Sequence, residues 1–206
     1  MEQQIGVVGF ECEDITIYLA RILSVLGKRI AIVDRTEREM LCEILGLYFQ
    51  NGEDVKERDY CGIWITNRNI CTEEFDVVFN VFGYRLEHPK LQECETLLMI
   101  TDGLPAHASL LSQTCCKECN RFLLIRNLVP MKHTADYLAE LAGSKTEYSV
   151  LVYDEKDIRV KCGLNGYGGI SIRRLSAGMK KSLAELLDFL SNDYSSKEIR
   201  EAIKKV

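Results

Sequence analysis

Three carboxylates crowd one short segment near the start of the chain, residues 9–14, with the sequence GFECED. The segment follows a run of apolar residues, Ile5–Val8, and precedes a stretch whose apolar side chains recur with helical spacing. Between a strand and a helix, free backbone N–H groups and the positive end of the helix dipole can bind a ligand phosphate. This segment has one glycine and no lysine, so its carboxylates would repel an anion where it needs donors. The spacing predicts a nucleotide-binding scaffold whose phosphate site has been lost.

Two glycines and a later aspartate also match part of a dinucleotide-binding motif. Gly6 and Gly9 precede Asp34, and in such motifs an acidic residue roughly 20 positions after the glycines binds a ribose hydroxyl. The third glycine of the motif is absent, and Glu11 lies inside the loop. A dinucleotide or another small ligand at the carboxyl ends of the strands therefore stays open as the alternative function. Without a ligand, Asp34 is a polar residue that ends a strand.

The cysteines offer at most half of a metal site. Cys116 and Cys119 form a Cys-x-x-Cys pair beside Cys115, whereas a closed zinc site needs about four ligands. His107 and His133 are not spaced to complete it. The nine cysteines are scattered and odd in number, which favours reduced and mostly buried thiols. We expect no bound metal and no other cofactor.

Two further features carry no catalytic signal. The glycine-rich stretch 163–169, GLNGYGG, does not open a helix after a strand, so a hairpin or a surface loop is predicted. The 3 histidines are dispersed and support neither a Ser/His/Asp nor a Cys/His arrangement. Covalent catalysis is therefore not expected.

The elements that position these residues alternate between strand and helix. Helical patterns follow residue 13 and cover Glu37–Phe49, a stretch opened by Pro105, Pro130–Leu141, a stretch capped by Ser176, and the tail. Apolar runs predict strands at Ile5–Val8, Arg29–Val33, Cys61–Thr66 (a candidate edge strand), Phe75–Val81, Thr96–Thr101, Arg121–Arg126 and Ser149–Tyr153. This alternation predicts a three-layer α/β fold with a mostly parallel sheet of about seven strands and a ligand crevice at their carboxyl ends.

Length, charge and termini limit the classes of function. The 206 residues fit one α/β domain over 1–206, and a net charge of −5 without a basic run argues against nucleic-acid binding. The N-terminus lacks a signal peptide and no apolar run approaches the ~20 residues that span a bilayer, so a cytoplasmic location is expected. The tail 195–206 predicts a weakly amphipathic helix, either docked on the core or in weak contact with the inner membrane surface.

Four stretches carry a resemblance to a known family. They are LGKRIAIVDRTE at 26–37, FDVVFNVFG at 75–83, LLMITDGLP at 97–105, and YDEKD at 153–157, followed after an interval by LSAGMKKSLAELLDFL at 175–190. Their order resembles that of the ParA/MinD-type P-loop ATPases, the family with a deviant Walker A motif that includes the TadZ/CpaE pilus-assembly proteins. The resemblance spans nearly the whole chain and implies the same P-loop NTPase-like fold.

The departures from the family lie in its chemistry. Where the resemblance implies lysine, glycines and a magnesium-binding hydroxyl, this chain has Glu11, Cys12 and Glu13, and Asn80 falls in the Walker B region where the family has a carboxylate. Losing the lysine and the metal ligand together removes most of a P-loop mechanism. The vestigial nucleotide site then comprises Gly9, Glu11, Cys12, Glu13, Asp34 and Asn80.

The resemblance therefore implies a pseudo-ATPase that acts as a scaffold or regulatory partner in pilus or secretion assembly or in positioning. Its partners are expected to be a pilus or secretion ATPase or an active ParA/MinD relative, and a homodimer remains open. Active relatives dimerise face to face across ATP. Two copies of this chain meeting there would juxtapose two sets of Glu11, Glu13 and Asp14, so we expect another dimer surface, or a basic partner on this face.

Overall fold

The computed structural model describes residues 3–45, 57–116, 119–129, 134–143, 147–164, 171–191 and 193–206. Eight strands within these residues form one sheet in the order β3-β4-β2-β5-β1-β6-β7-β8, and all pairs are parallel except β3 with β4. The strands are β1 Gln3–Gly9, β2 Ile30–Asp34, β3 Glu57–Asp59, β4 Ile63–Thr66, β5 Val77–Gly83, β6 Thr96–Thr101, β7 Asn120–Leu128 and β8 Tyr148–Val152. The predicted three-layer α/β fold is confirmed, with one strand more than expected.

Helices lie on both faces of the sheet. In the described part of the chain they are α1 Glu13–Val25, α2 Met40–Ile44, α3 Pro105–Leu111, α4 Ala135–Leu141, α5 Glu155–Cys162, α6 Ala177–Leu190 and α7 Ser196–Lys205. The largest apolar cluster joins α1, α6 and α7 to one face, and a second cluster joins α3 and α4 to the other. We call these the α1 face and the α3 face.

The central strands are the apolar ones. Strand β1 pairs with β5 on one side and with β6 on the other, and β5 separates β1 from β2. Strand β6 coincides with the predicted run Thr96–Thr101, in which every residue is buried. A strand covered on both faces gains from an unbroken apolar run, which is the pattern that made these strands predictable.

The edge of the sheet next to β4 differs from the prediction. The predicted strand Cys61–Thr66 begins only at Ile63, and it is not the edge, because the short strand β3 pairs with it antiparallel. Cys61 and Gly62 both have positive φ and form a tight hairpin turn, across which Tyr60 and Ile63 exchange backbone hydrogen bonds. Strand β3 has the sequence ERD, which offers no apolar alternation to detect.

Two predicted helices are only partly described. Of the prediction Glu37–Phe49, the structure has α2, while residues 46–56 lie outside the described residues. Of the prediction Pro130–Leu141, it has α4, capped by the Thr134 hydroxyl, and residues 130–133 also lie outside. Most of the glycine-rich stretch, residues 165–170, is likewise outside.

Helix α5 was not predicted because only Ile158 and Val160 interrupt its polar sequence EKDIRVKC. Local polar contacts define it. The Asp154 carboxylate accepts a hydrogen bond from the backbone N–H of Lys156, and Arg159 pairs with Glu155 one turn earlier. These contacts give a helix that hydrophobic periodicity does not reveal.

The C-terminal helix α7 is docked on the core. Ser195 and Glu198 form a capping box at its start. Its apolar residues are buried in the same cluster as α1 and α6; they are Ile199, Ala202, Ile203 and Val206. The docking interpretation of the tail therefore accounts for its apolar face. Within the residues described, no helix is both long and apolar enough to cross a membrane.

Candidate functional site

The turn between β1 and α1 packs tightly against β6. Gly9 has φ of +112°, and a Cβ atom there would lie 1.9 Å from the carbonyl oxygen of Ile100. The backbone N–H of Phe10 donates to that same oxygen at 2.8 Å. Gly9 is therefore required by close backbone approach, whether or not a ligand binds. Glu11 follows with φ of 45°, in the left-handed region.

Arg126 extends from β7 to the underside of this turn. Its Nη1 and Nη2 donate to the two carboxylate oxygens of Asp14 at 2.7 and 2.9 Å, and Nη1 also donates to the backbone carbonyl of Glu11. Both side chains are almost fully buried, at 1% and 2% exposure. Burial alone would lower the pKa of Arg126, but the Asp14 carboxylate raises it, so the guanidinium stays protonated.

A second cation meets the turn from α5. Lys161 Nζ lies 2.6 Å from a carboxylate oxygen of Glu11, and both side chains are partly exposed. Two of the three carboxylates of the turn, those of Glu11 and Asp14, therefore have cationic partners within the chain. The expectation of a strongly repulsive acidic face is corrected accordingly, because most of this charge is neutralised internally.

The third carboxylate, Glu13, has no ion-pair partner among the described residues. Burial, reinforced by the neighbouring Asp14 carboxylate, raises its pKa. Cys12 beside it is fully buried, and burial followed by the Glu13 charge raises the pKa of its thiol. A protonated thiol is a poor nucleophile and a poor metal ligand, so Cys12 is not suited to either role.

The Asp34 carboxylate accepts hydrogen bonds from groups of the chain itself. One carboxylate oxygen accepts from the N–H and the hydroxyl of Thr36, at 3.0 and 2.7 Å. The other accepts from the N–H groups of Leu41 and Cys42, at 2.8 and 3.0 Å, and so caps α2. The side chain is 2% exposed. A ribose hydroxyl could bind Asp34 only by displacing these bonds.

Asn80 lies away from the other predicted site residues. It is in the middle of β5, and its neighbours Phe79 and Val81 belong to the cluster on the α1 face, so its own side chain points to the opposite face. There it bonds Arg35 and Gln4. The structure thus brings together Gly9, Glu11, Cys12 and Glu13 but not Asn80. On the α1 face the corresponding position of β5 holds Val81, which has no ligating atom.

An aromatic group lies on the rim of the turn. The ring of His107 stacks on Phe10 at a centroid distance of 5.0 Å and contacts Tyr84 at 5.9 Å. Its Nδ1 lies 3.0 Å from a carboxylate oxygen of Asp102. The sequence did not indicate that His107 lies at this rim, because its place depends on how α3 folds back over β6.

The cysteine cluster lies on the α3 face, far in the fold from α1. Cys116 and Cys119 are neighbours near Cys94, and burial raises the pKa of both Cys94 and Cys116 to about 12. Across the described ranges, no group of three or more His, Cys, Asp or Glu side chains is arranged to bind a metal. His133, considered above as a further ligand, lies outside the described residues.

Comparison with known proteins gives a result from structure only. No family model matches the sequence, and no curated protein matches it. A chain of the MinC:MinD cell division protein complex of Aquifex aeolicus aligns with a TM-score of 0.65 at 12% identity, covering 90% of this chain and 96% of that one. The ParA family ATPase from Chlorobium tepidum aligns with a TM-score of 0.55 at 14% identity, covering 98% of both chains.

The chain has the fold of the ParA- and MinD-type ATPases. A plasmid partition protein from Borrelia burgdorferi bound to AMPPNP agrees, with a TM-score of 0.60 at 11% identity and both chains covered completely. The similarity therefore extends across the whole ParA/MinD fold, while identities this low carry the fold and not the chemistry. What this chain does at the turn has to be argued from its own residues.

Proposed function

We propose that this protein keeps the ParA/MinD fold without hydrolysing ATP and acts as a scaffold or regulatory partner for another protein. The observation that carries the proposal is the Arg126–Asp14 pair beneath the phosphate turn, with Arg126 also bound to the Glu11 carbonyl. A cation that could neutralise a phosphate is thus committed to a carboxylate of the chain itself. Separating a buried, bidentate pair of this kind is unfavourable, because it leaves buried charges without partners.

The groups around the turn do not supply the other parts of a phosphoryl-transfer site. Such a site works by positioning phosphates and neutralising their charge with backbone donors, lysine and magnesium. Here Lys161 pairs with Glu11, and Cys12 contributes a buried thiol whose pKa is raised by burial. Val81 faces the α1 side in place of a carboxylate. Each loss acts on the same step, so together they support the absence of hydrolysis.

The partner is proposed to bind at the carboxyl edge of the sheet. The rim carries exposed apolar side chains next to the aromatic group, namely Tyr84, Leu104 and Leu110, with exposures of 40% to 49%. The MinC:MinD complex shows a protein of this fold bound to another protein. A pilus or secretion ATPase, or an active ParA/MinD relative, is the partner class suggested by the resemblance in sequence. A homodimer through this edge is the competing arrangement.

The proposal is tested by ATP turnover and by thermal shift with ATP and ADP, each with and without magnesium. We expect turnover at background and no magnesium-dependent rise in the unfolding midpoint, since a ligand that binds only the folded state raises it. Glu13→Gln tests the site, with Glu57→Gln on the exposed edge strand as the matched control. Turnover that changes in Glu13→Gln but not in Glu57→Gln would overturn the proposal.

The same thermal-shift assay also tests the alternative that the protein binds a dinucleotide. NAD and NADP are added in place of ATP, with Asp34→Asn as the variant because it preserves the shape of a side chain that accepts four hydrogen bonds. We expect no shift in either protein. A clear rise with NAD that is lost in a folded Asp34→Asn protein would replace the scaffold with a ligand-binding function.

A further inference from the structure

Among the residues that the structure describes, the α3 face of the sheet has a polar gap that no helix covers. Around β2 and β5, the described segments that cross this face contain only short 3-10 turns, Thr72–Glu74 and Pro89–Glu93. Two apolar clusters flank the gap, one containing Val8 and one containing Val33. Between them lies a cavity of about 360 Å³, lined mainly by polar side chains: Gln4, Arg35, Asn69, Thr72, Asn80, Lys90 and Glu93.

Arg35 is the half-buried cation of this cavity, and its partners are neutral. Its Nε donates to the amide oxygen of Asn80 at 2.8 Å, and its Nη1 donates to that of Asn69 at 3.2 Å. Among the residues that the structure describes, no carboxylate lies within ion-pair distance of it. Burial lowers the pKa of Arg35, yet a guanidinium stays protonated in proteins. The cavity thus has a charge that the chain leaves uncompensated.

The amides hold this guanidinium in one orientation. Asn80 is 4% exposed, and its Nδ2 donates to the side-chain oxygen of Gln4 at 2.8 Å, which leaves its own oxygen facing Arg35. The Nη2 atom of Arg35 takes part in none of the hydrogen bonds described for it. A fixed guanidinium with a free edge is the geometry that binds carboxylate or phosphate oxygens.

The charges around Arg35 also favour an anion. Lys90 pairs with Glu93 at 2.7 Å, so the one carboxylate lining the cavity is already engaged. Arg85 donates to the backbone carbonyl of Arg35 and adds positive charge on the second side. Cys94, the remaining titratable group close by, is a neutral thiol because burial raises its pKa to about 12. Among the described residues that line the cavity, two cations, Arg35 and Lys90, therefore accompany one carboxylate.

We propose that this cavity binds a small anion through Arg35, either a carboxylate or a phosphate compound of low molecular weight. The volume is at the lower end of the roughly 300–1,000 Å³ of ligand pockets. It would hold about a dozen water molecules, at roughly 30 Å³ each. The site is separate from the phosphate turn, which lies at the carboxyl edge over the α1 face.

The test is a thermal-shift titration with inorganic phosphate and, separately, with succinate, each against sodium chloride of equal ionic strength. For a chain of this length we expect a rise of about 3 °C at ten times the dissociation constant, and a further increase with the logarithm of the probe concentration. Whichever probe gives the larger rise identifies the oxygen geometry that the site prefers. No rise above chloride with either probe overturns the proposal.

Three variants locate the binding. Asn80→Asp places a carboxylate against Arg35, so it should abolish the rise, as should Arg35→Gln, which removes the charge. Asn120→Asp makes the same charge change at an exposed position at the start of β7 and should keep the rise. If circular dichroism shows that Asn80→Asp does not fold, the exposed Asn69→Asp takes its place.

A rise that survives in Arg35→Gln, or that is lost equally in Asn120→Asp, overturns the assignment. The result is independent of the proposed scaffold function. Nucleotide binding at the turn would respond to Glu13→Gln and not to Asn80→Asp, whereas anion binding in the cavity would do the reverse.

Discussion

Two arginines on the same sheet show how differently one side chain can be satisfied. Arg126 at the end of β7 is 1% exposed and bonds both oxygens of the Asp14 carboxylate. Arg35 just after β2 is half-buried and bonds only amide oxygens. The first region is electrostatically closed in the sense that its cation, Arg126, is paired with a carboxylate of the chain, while Glu13 beside it has no ion-pair partner among the described residues. The second is open, and its charge is left for solvent or for a ligand.

The contrast reverses what the fold alone suggests. In open α/β sheets the ligand crevice lies at the carboxyl ends of the strands, where Arg126 lies in this chain. There Arg126 is already paired with the Asp14 carboxylate and is not available to a ligand. The cation without an ion-pair partner, Arg35, lies on the α3 face, where the described residues place no helix over β2 and β5. The position of a ligand site therefore depends on which charges the chain itself neutralises, and only secondarily on topology.

In the closed region, Arg126→Met is expected to cause the largest loss of stability. Removing the guanidinium leaves the Asp14 carboxylate buried without a partner, and we expect a loss of about 3–5 kcal/mol in the free energy of unfolding. Urea denaturation measures it. The double variant Arg126→Met with Asp14→Leu removes both charges and should recover most of the loss. A single variant within about 1 kcal/mol of the parent would show that the pair is not closed.

The backbone of the turn gives the next largest effect. Gly9→Ala places a Cβ against the Ile100 carbonyl at a φ that other residues avoid, and we expect a loss of more than about 2 kcal/mol. Gly6→Ala is the matched control on the same strand, where the nearest atom, 3.0 Å away, is the flexible end of Leu97. Thermal midpoints compare the two. Equal losses would mean that the turn is free to move away from β6.

Glu13 has no ion-pair partner among the described residues of the closed region. The stability of the protein should therefore depend on pH through this side chain. Burial raises its pKa in the folded state, so protonation favours folding. This stabilisation is complete below the ordinary carboxyl pKa and is lost as the pH rises through the folded-state pKa. Glu13→Gln should therefore be more stable than the parent at neutral pH, by about 1 kcal/mol. The gain should vanish in acid, and a gain independent of pH would contradict this assignment.

A substitution in the open region is expected to give the smallest change in stability. Arg35→Gln removes a charge whose hydrogen-bond partners are neutral amides, so the free energy of unfolding should change by less than about 1 kcal/mol in either direction. The same urea experiment as for Arg126→Met provides the direct comparison. A loss above about 2 kcal/mol in the free energy of unfolding would mean that Arg35 stabilises the fold as Arg126 does and is not left to bind a ligand.

Patterns of apolar residues made most of the fold predictable. The runs around β1, β5, β6 and β7 are buried on both faces, so each appears in the sequence as an unbroken stretch. Strand β3 and helix α5 were missed because pairing at an edge and local polar contacts stabilise them, and neither leaves an apolar period. The alternation of strands and helices was sufficient for the fold class and for a mostly parallel sheet.

The candidate site was predictable in composition but not in charge. The sequence by itself determined that the turn has Glu11, Cys12 and Glu13 where lysine and a hydroxyl would be needed, because these residues adjoin a recognisable strand and helix. It could not determine that residues 115 and 150 positions later supply the cations Arg126 and Lys161. Contacts over such separations depend on which strands and helices become neighbours.

The tertiary structure alone decided on which side of the sheet each polar residue lies. Successive residues of a strand point to opposite faces, so a difference of one position moves Asn80 from the expected phosphate site to the cavity with Arg35. The same alternation places Val81 beside α1. Burial, hydrogen-bond partners and charge compensation follow from that one geometric choice, and a linear motif does not contain it.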